Sequence, residues 1–266
     1  MHDDLATVFP IEQTALVIAH PGHELRVWYW LEQVRPLTSI VTDGSGQTGR
    51  SRASFSRGLL QEAGARASSF FGVASDRTIY AAVLAGNHDF FRSLIDDIAS
   101  ELIRQRIRCV VGDAAEGRIM AHDLLREVRR EAVRRAEQSL DWQITQYEYA
   151  LDSHPASHPP LAAHQIQKLN LSESDLARKL SIARGYQAIE SIVDADIGTY
   201  GERAFSVECM FACTDASLLT RLDDGKLPYE LHGEEQVRLG RYPTVIRYRD
   251  HLVPILKRLT PERYAA

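Results

Sequence analysis

Three short apolar runs, each followed by polar or turn-forming residues, constrain the fold of this 266-residue chain most strongly. They lie at residues 14–19, 37–42 and 107–111, and the residues that follow are His20, Asp43 and the pair Gly112-Asp113. Continuous apolar runs of this length are typical of parallel strands buried on both faces. Segments with helical periodicity separate them, at residues 24–34, 89–106 and 123–140. The alternation predicts a Rossmann-like three-layer α/β sandwich with a mostly parallel sheet.

The remaining elements are expected around this framework. The sequence predicts helices at residues 59–67 and 172–193, the second capped by Ser172 or Ser174, and strands at residues 69–73, 142–151 and 205–213. Residues 152–160 (DSHPASHPP) predict a loop, because a residue before proline is excluded from the helical region. We expect a single domain over residues 1–266, in which about residues 152–266 form a C-terminal elaboration.

Charge and cysteine content narrow the class of protein. A formal net charge of −5 disfavours a dedicated nucleic-acid binder, which usually carries a basic stripe. The 3 cysteines form no CxxC pair and are expected to be reduced thiols. Neither a signal peptide nor an apolar run of the ~18 residues of a membrane span is recognisable, so we expect a cytoplasmic protein. Arginines alternate with glutamates at helical spacing, which favours a solvated helix face: Arg126, Arg129, Arg130, Arg134 and Arg135.

The ends of the predicted strands point to a site. Ligands of parallel α/β sheets bind beyond the carboxyl ends of the strands, where His20, His23, Asp43 and residues 113–122 would meet. Neutral imidazoles of His20, His23 and His122 would provide three ligands for Zn²⁺ or another divalent metal and leave one position open. HxxH pairs also arise by chance, and a histidine at a strand end is often purely structural. Spacing alone leaves both interpretations open.

Three segments resemble motifs of the PIG-L/LmbE-like N-deacetylase family. Residues 17–24 (VIAHPGHE) are similar to its AHPDDE signature, residues 42–46 (TDGSG) to its TDGE-type turn, and residues 116–123 (EGRIMAHD) to its EGGHPDHD stretch. They occur in the family's order, each at the end of a predicted strand. The resemblance implies a zinc-dependent hydrolase that acts on a C–N amide bond of an N-acetyl sugar or glycoconjugate.

The resemblance also implies roles for particular residues. His20 and His122 match metal ligands, and His23 stands where the family has an acidic ligand. Gly22 replaces the family's general base, and Ile119 replaces a histidine that helps to stabilise the oxyanion. Because losing such groups typically lowers the rate ~10²–10⁴-fold each, the family's mechanism does not transfer unchanged.

Further candidates lie near the motifs. Glu24, Asp43 and Asp123 are candidate catalytic bases, although each also has a structural interpretation: a first helical turn for Glu24, a turn before glycine for Asp43 and a helix N-cap for Asp123. Arg52 and Arg57 are candidate substrate-binding residues, since the family has an arginine in this region. A second histidine group is more easily explained as an exposed loop: His154, His158 and His164.

Two functions stay open. The first is a metal-dependent, deacetylase-like hydrolase with altered catalytic residues. The alternative is the same fold repurposed, either as a non-deacetylating metal-binding enzyme or as an inactive scaffold in a glycan or natural-product pathway. A metal-free nucleotide-binding protein is disfavoured, because the turn after the first strand is not a glycine-rich phosphate loop. The expected partner is a small-molecule or glycoconjugate substrate and no nucleic acid, with a homo-oligomer left open.

Overall fold

The computed structural model describes residues 2–46, 48–160, 165–214 and 225–260. These residues form a seven-stranded sheet in the order β3-β2-β1-β4-β5-β7-β6. Two of the strands come from residues beyond position 152. The strands are β1 Thr14–Ile18, β2 Leu37–Thr42, β3 Arg66–Ala74, β4 Cys109–Asp113, β5 Thr145–Tyr149, β6 Ile166–Asn170 and β7 Val207–Ala212.

The sheet is mostly parallel, which confirms the predicted α/β fold. Neighbours from β3 through β2, β1 and β4 to β5 pair in parallel, whereas β7 is antiparallel to both β5 and β6. The chain runs outward from β1 to β3 and then returns to β4 on the other side of β1. At such a reversal of strand order, the carboxyl ends of the two central strands open a crevice for ligands.

Helices cover both faces of the sheet. Ala15 and Val17 of β1 belong to one hydrophobic core, while Leu16 and Ile18 belong to the other, so this strand is apolar from Ala15 to Ile18. No described helix is long and apolar enough to cross a membrane. The α-helices are α1 His2–Val8, α2 Trp28–Val34, α3 Ala53–Glu62, α4 Asp76–Leu84, α5 His88–Arg104, α6 Met120–Glu137, α7 Glu173–Gly185, α8 Glu190–Tyr200, α9 Pro228–Arg238 and α10 Val253–Leu259.

Several predicted elements differ from the structure. The helix predicted at residues 59–67 lies at Ala53–Glu62, because Gly64 adopts a left-handed φ of 71° after it and β3 begins at Arg66. The helix predicted at residues 24–34 is a 3₁₀ helix, His23–Val27, followed by α2. The helix predicted at residues 172–193 is divided after Gly185 into α7, a short 3₁₀ helix at Gln187–Ile189, and α8.

The solvated arginine face predicted on α6 is wrong for its first half. Arg126, Arg129 and Arg130 are buried, and the cause is a buried countercharge on the neighbouring strand. Glu148 of β5 accepts hydrogen bonds from Arg126 Nε at 2.6 Å and from Arg129 Nη2 at 2.6 Å. Burial alone would raise the pKa of Glu148, but the two guanidinium groups hold it below its ordinary value.

Arg129 also fixes the approach of β4 to its neighbours. Its Nη1 donates a hydrogen bond to the Asp113 carbonyl oxygen at 3.0 Å. A Cβ on Gly112 would lie 2.1 Å from that Nη1 and 2.3 Å from the Val17 carbonyl oxygen, so no larger residue fits there. The glycine therefore lets α6, β1 and β4 meet directly below the crevice.

We predict that Glu148→Ala lowers the free energy of unfolding by about 3–5 kcal/mol, because it leaves two buried guanidinium groups without their countercharge. Urea denaturation measures the loss. Arg203→Ala is the matched control: it breaks the ion pair with Glu173, whose two side chains are 80% and 76% exposed. Such a pair contributes less than about 1 kcal/mol. Equal losses in the two variants would contradict a structural role for the buried network.

Candidate active site

Three histidines meet at the crevice between β1 and β4. His20 follows β1, His23 begins the 3₁₀ helix after it, and His122 lies in the first turn of α6. The ring centroid of His20 lies 5.1 Å from that of His23 and 5.1 Å from that of His122, and the His23 and His122 centroids are 4.5 Å apart. The structure thus brings together the three side chains that the sequence predicts as metal ligands.

The His20 ring is oriented by residues from two further strand ends. Its Nδ1 lies 2.6 Å from Thr42 Oγ1, at the end of β2, and 3.0 Å from Asp76 Oδ1, at the start of α4. Burial lowers the pKa of His20. Burial would raise the pKa of Asp76, but the contact with His20 holds it well below its ordinary value.

The His23 ring is oriented by Asp113, the last residue of β4. Its Nδ1 lies 3.0 Å from Asp113 Oδ2, which also accepts a hydrogen bond from the backbone N–H of Ala19 at 2.7 Å. Tyr149 donates its hydroxyl proton to the His23 carbonyl oxygen at 3.2 Å. Although burial opposes ionisation, His23 and the Ala19 N–H hold the pKa of Asp113 well below its ordinary value.

His122 has the loosest contact of the three. Its Nδ1 lies 3.7 Å from Asp152 Oδ2, which is beyond hydrogen-bond distance. Its Nε2 is buried and has no hydrogen-bond partner among the described residues. Glu116 fixes the backbone beside this ring, because its Oε1 accepts hydrogen bonds from the N–H groups of Leu151 at 2.6 Å and Asp152 at 2.9 Å. An unpartnered buried nitrogen is costly unless a ligand uses it.

The histidine cluster fits a zinc-type ion in its chemistry and spacing. A carboxylate faces each Nδ1, which is the usual arrangement around metal-binding histidines and leaves Nε2 as the ligand atom. Imidazoles on one tetrahedral ion, with Zn–N distances of ~2.0–2.1 Å, have ring centroids about 5 Å apart. Within the described ranges, however, no group of three or more His, Cys, Asp or Glu side chains already has its donor atoms arranged for a metal. Binding therefore requires the rings to rotate.

A cavity of 340 Å³ opens above the histidines. Its charged lining includes Arg52, Asp76 and Asp152, which come from three different loops or helix ends. A second part of the lining comes from α7, the 3₁₀ helix after it, and α8, and it is apolar apart from Lys179 and Asp196. We call its apolar residues the apolar wall: Leu180, Ala183, Ile189, Ile192, Val193 and Ile197.

Two of the candidate bases, Glu24 and Asp43, use their carboxylates in hydrogen bonds to neighbouring groups and are not among the described residues that line the cavity. Glu24 is fully buried; its Oε2 accepts a hydrogen bond from the Gly22 N–H at 2.8 Å, and its Oε1 accepts one from the Ser56 hydroxyl. Burial raises the pKa of Glu24. Asp43 Oδ1 accepts a hydrogen bond from the Ser45 N–H at 2.9 Å. Both carboxylates stabilise the turns that carry other site residues.

Asp123 closes the loop before α6. Its Oδ1 accepts hydrogen bonds from the N–H groups of Glu116 and Gly117, each at 3.1 Å. Ile119, not Asp123, occupies the N-cap position of this helix, so the predicted capping role is wrong. Burial raises the pKa of Asp123 to about 7. The cavity lining, as far as the described residues go, does not include it.

The two candidate substrate-binding arginines lie in different surroundings. Arg52 lines the cavity, and its Nε donates a hydrogen bond to the Gly44 carbonyl oxygen at 2.6 Å. Arg57 instead places its guanidinium carbon 4.2 Å from the ring centroid of Phe71. In the second histidine group, His154 Nδ1 accepts a hydrogen bond from the Ala156 N–H at 3.1 Å, and His164 lies outside the described residues.

Asp76 and Asp152 are site residues that the sequence interpretation missed. Asp76 follows the end of β3 by two residues, and Asp152 follows the end of β5 by three. The rule that selected His20 and Asp43 applies equally to these positions, since the carboxyl ends of all parallel strands share one edge of the sheet. The preceding strands were predicted, so this signal was present in the sequence.

The two departures from the family motifs both give the cavity an apolar surface. Gly22 has a left-handed φ of 106°, and a Cβ there would lie 2.9 Å from Ile189 Cδ1 and 3.5 Å from Tyr186 Cε1. Ile119, in place of a polar donor, also lines the cavity. The space that an acidic side chain would need at position 22 is therefore filled by the apolar wall.

The chain matches no protein-family model and none of the curated proteins compared with it. It is similar to solved structures from teicoplanin biosynthesis: a deacetylase triple mutant (15% identity, TM-score 0.47, 77% of this chain) and a deacetylase–bog complex (13%, 0.49, 76%). A zinc-inhibited form of teicoplanin deacetylase Orf2 is similar at 14% identity, TM-score 0.45 and 76% of this chain. All of each neighbouring chain is covered. At these values, the likeness carries no argument about activity.

We predict that Gly22→Ala lowers the free energy of unfolding by more than Gly86→Ala does. Both glycines have positive φ, at 106° and 60°, but a Cβ on Gly86 would meet nothing within 4 Å. Backbone strain costs about 1–3 kcal/mol at either position, and only Gly22 adds the clash with Ile189.

Urea denaturation in wild-type and Ile189→Ala backgrounds tests the cause. Removing Cδ1 of Ile189 is expected to recover part of the Gly22→Ala loss, with a coupling of about 0.5–3 kcal/mol. It is expected to leave the Gly86→Ala loss unchanged. Additive effects of Gly22→Ala and Ile189→Ala would show that the wall does not restrict position 22.

Proposed function

We propose that this protein is a metal-dependent hydrolase of amide bonds, related in mechanism to the PIG-L/LmbE-like N-deacetylases, with Zn²⁺ or a similar ion held by His20, His23 and His122. One observation carries the proposal. Three imidazole rings lie 4.5–5.1 Å apart at a cavity floor, and a carboxylate faces each Nδ1. The buried, unpartnered Nε2 of His122 supports it further.

The carboxylates fix how the rings present their nitrogens. Asp76 Oδ1 and Asp113 Oδ2 each lie 3.0 Å from the Nδ1 of His20 and His23, and this placement favours the tautomer that is protonated at Nδ1 and has a free lone pair at Nε2. Asp152 plays the same part more loosely for His122. When bound, a divalent ion supplies Lewis-acid polarisation of the amide carbonyl. Three neutral ligands leave the positive charge of that ion undiminished.

Asp152 is our candidate for the base that accepts a proton from the attacking water. It lines the cavity, and its side chain is 24% exposed, against 10% for Asp76 and 3% for Asp113. Its Oδ2 has no hydrogen-bond partner among the described residues. Asp76 is held more closely, because its Oδ1 lies 3.0 Å from His20 Nδ1 and its Oδ2 accepts a hydrogen bond from the Gly46 N–H. Among the three carboxylates that face the histidine rings, Asp152 is thus the most exposed, and we assign to it the role absent at Gly22.

The charged part of the cavity favours a polar group on the amine side of the amide. Arg52 lines the cavity there and uses its Nε to hold the Gly44 carbonyl oxygen, so the other guanidinium nitrogens remain for substrate. Hydroxyl groups of an amino sugar or glycoconjugate would suit this lining. The motif resemblance of residues 17–24 and 116–123 points to the same substrate class.

A second candidate function is the same fold without deacetylation, as another metal-binding enzyme or as a scaffold. It is favoured by two observations. Gly22 has no proton-accepting group and Ile119 has no donor for an oxyanion, and the histidine donor atoms are not already arranged for a metal within the described residues. Release of free amine from N-acyl sugars by the metal-loaded protein separates the two functions, because only the hydrolase shows activity that a chelator abolishes.

We predict that purified protein binds about one zinc ion per chain and that His122→Ala binds at least tenfold more weakly. Losing one of three ligands leaves too few donors to hold the ion. Metal analysis after dialysis against buffered zinc measures both. His232→Ala, which removes an exposed histidine from α9, is the matched control and keeps the wild-type zinc content. Wild-type zinc content in His122→Ala would contradict the proposed site.

We predict that Asp152→Asn lowers kcat/KM on an N-acyl glucosamine by about 10²–10⁴-fold, since an amide cannot accept the proton. Zinc content is measured in parallel and is expected to stay at the wild-type level, which separates loss of a base from loss of the metal. Asp194→Asn, an exposed carboxylate of α8, serves as control and is expected to keep wild-type activity. Full activity of Asp152→Asn would assign the base elsewhere.

A further inference from the structure

Most of the apolar wall packs into the hydrophobic core with one side, whereas Ile192 belongs to no core cluster and remains open to the cavity. The described part of α8 contains no buried residue, although Ile192, Val193 and Ile197 line the cavity. Ile192 is 59% exposed, which is unusual beside a candidate catalytic centre. An acetyl group would cover little of this surface. Exposed apolar surface of this kind is often a ligand-binding site.

The wall begins directly at the turn that carries the histidines. Ile189 Cδ1 lies 2.9 Å from the position that a Cβ of Gly22 would take, between His20 and His23. From Ile189 to Ile197 the chain advances by roughly 12 Å along α8 at the helical rise, about the length of an extended chain of eight to ten carbons. The cavity volume of 340 Å³ is within the ~300–1,000 Å³ range of small-molecule sites.

We infer that the apolar wall binds the acyl chain of the amide substrate, and that this chain is an unbranched one of medium length instead of acetyl. The inference rests on the proposed hydrolase function and names its substrate class. The carbonyl carbon of an amide bears the acyl chain on one side and the nitrogen on the other. The wall suits the first group, and Arg52, Asp76 and Asp152 suit a polar group on the nitrogen.

The inference also explains why glycine, and not an acidic residue, stands at position 22. An acidic side chain there would both clash with Ile189 and place a charge against the acyl chain. With glycine, Ile189 of the wall reaches the turn that carries His20 and His23. The loss of the motif's acid and the presence of the wall are then two parts of one change in specificity.

The test is a chain-length series on the zinc-loaded full chain: N-acetyl-, N-butanoyl-, N-hexanoyl- and N-octanoyl-glucosamine. We expect kcat/KM to rise roughly two- to fourfold per added methylene, as burial of apolar surface predicts. A flat or falling series would overturn the inference. N-octylacetamide, which carries its chain on the nitrogen, is expected to be a poorer substrate than N-octanoyl-glucosamine. The reverse order would overturn the assignment of the wall to the acyl side.

Variants locate the effect. Ile192→Ser is expected to reduce the ratio of octanoyl to acetyl kcat/KM at least fivefold. Because α8 buries no described residue, the substitution removes no core packing. Leu231→Ser is the matched control: Leu231 is 53% exposed on α9 and is not among the described lining residues, so the ratio is expected to stay unchanged. An unchanged ratio in Ile192→Ser would overturn the inference.

Two further measurements distinguish its failure from failure of the hydrolase proposal. Octanoate is expected to bind at least tenfold more tightly than acetate, and to lose that advantage in Ile192→Ser. Octanoate binding without turnover of any amide would support the acyl-chain site and contradict the hydrolase proposal. Turnover of the N-acetyl substrate alone, without octanoate binding, would support the hydrolase proposal and overturn the acyl-chain site. Light scattering is expected to give the same mass for wild type and Ile192→Ser. A smaller mass in the variant would make the wall a subunit interface and overturn the inference.

Discussion

The carboxylate of Asp113 joins the elements on which the site depends. Its Oδ2 accepts hydrogen bonds from the Ala19 N–H, just beyond β1, and from the His23 ring. Its own carbonyl oxygen accepts one from Arg129, which is anchored in turn to Glu148. A carboxylate that is only 2% exposed stays ionised because these donors replace its water. One residue thus connects β1, β4, α6 and a histidine of the cluster.

The three histidines face one another with no carboxylate between them, because the carboxylates lie on the outer side of the rings. Asp76, Asp113 and Asp152 each face a ring Nδ1, so their negative charge surrounds the cluster instead of entering it. Without a ligand, packing three neutral rings together costs free energy, because it leaves buried ring nitrogens such as His122 Nε2 without a hydrogen-bond partner. A divalent cation would resolve that cost.

The sequence predicted the sheet well for a physical reason. Strands buried on both faces read as short runs of apolar and small residues, and the run at residues 37–42 predicts β2 with the bounds that it has. The helix predicted at residues 172–193 is broken after Gly185, and the local sequence does not reveal that the next residue, Tyr186, is buried and donates its hydroxyl to the Arg52 carbonyl oxygen at 3.2 Å. That break places Ile189 against Gly22.

The site was predictable in its histidines and much less so in its carboxylates. His20, His23 and His122 follow from strand ends and motif order, whereas the local sequence of Glu24 does not reveal that both its oxygens are engaged by Gly22 and Ser56. Arg126 and Arg129 were misassigned to solvent because their countercharge, Glu148, lies on another element. Long-range pairing of this kind leaves no periodic signal in the chain.

The most direct test of the account is the position of a zinc ion in crystals of the protein, located by anomalous diffraction at the zinc absorption edge. We predict one peak bound by Nε2 of His20, His23 and His122 at ~2.0–2.1 Å. A fully occupied peak elsewhere, or no peak at this cluster at saturating zinc, would contradict it.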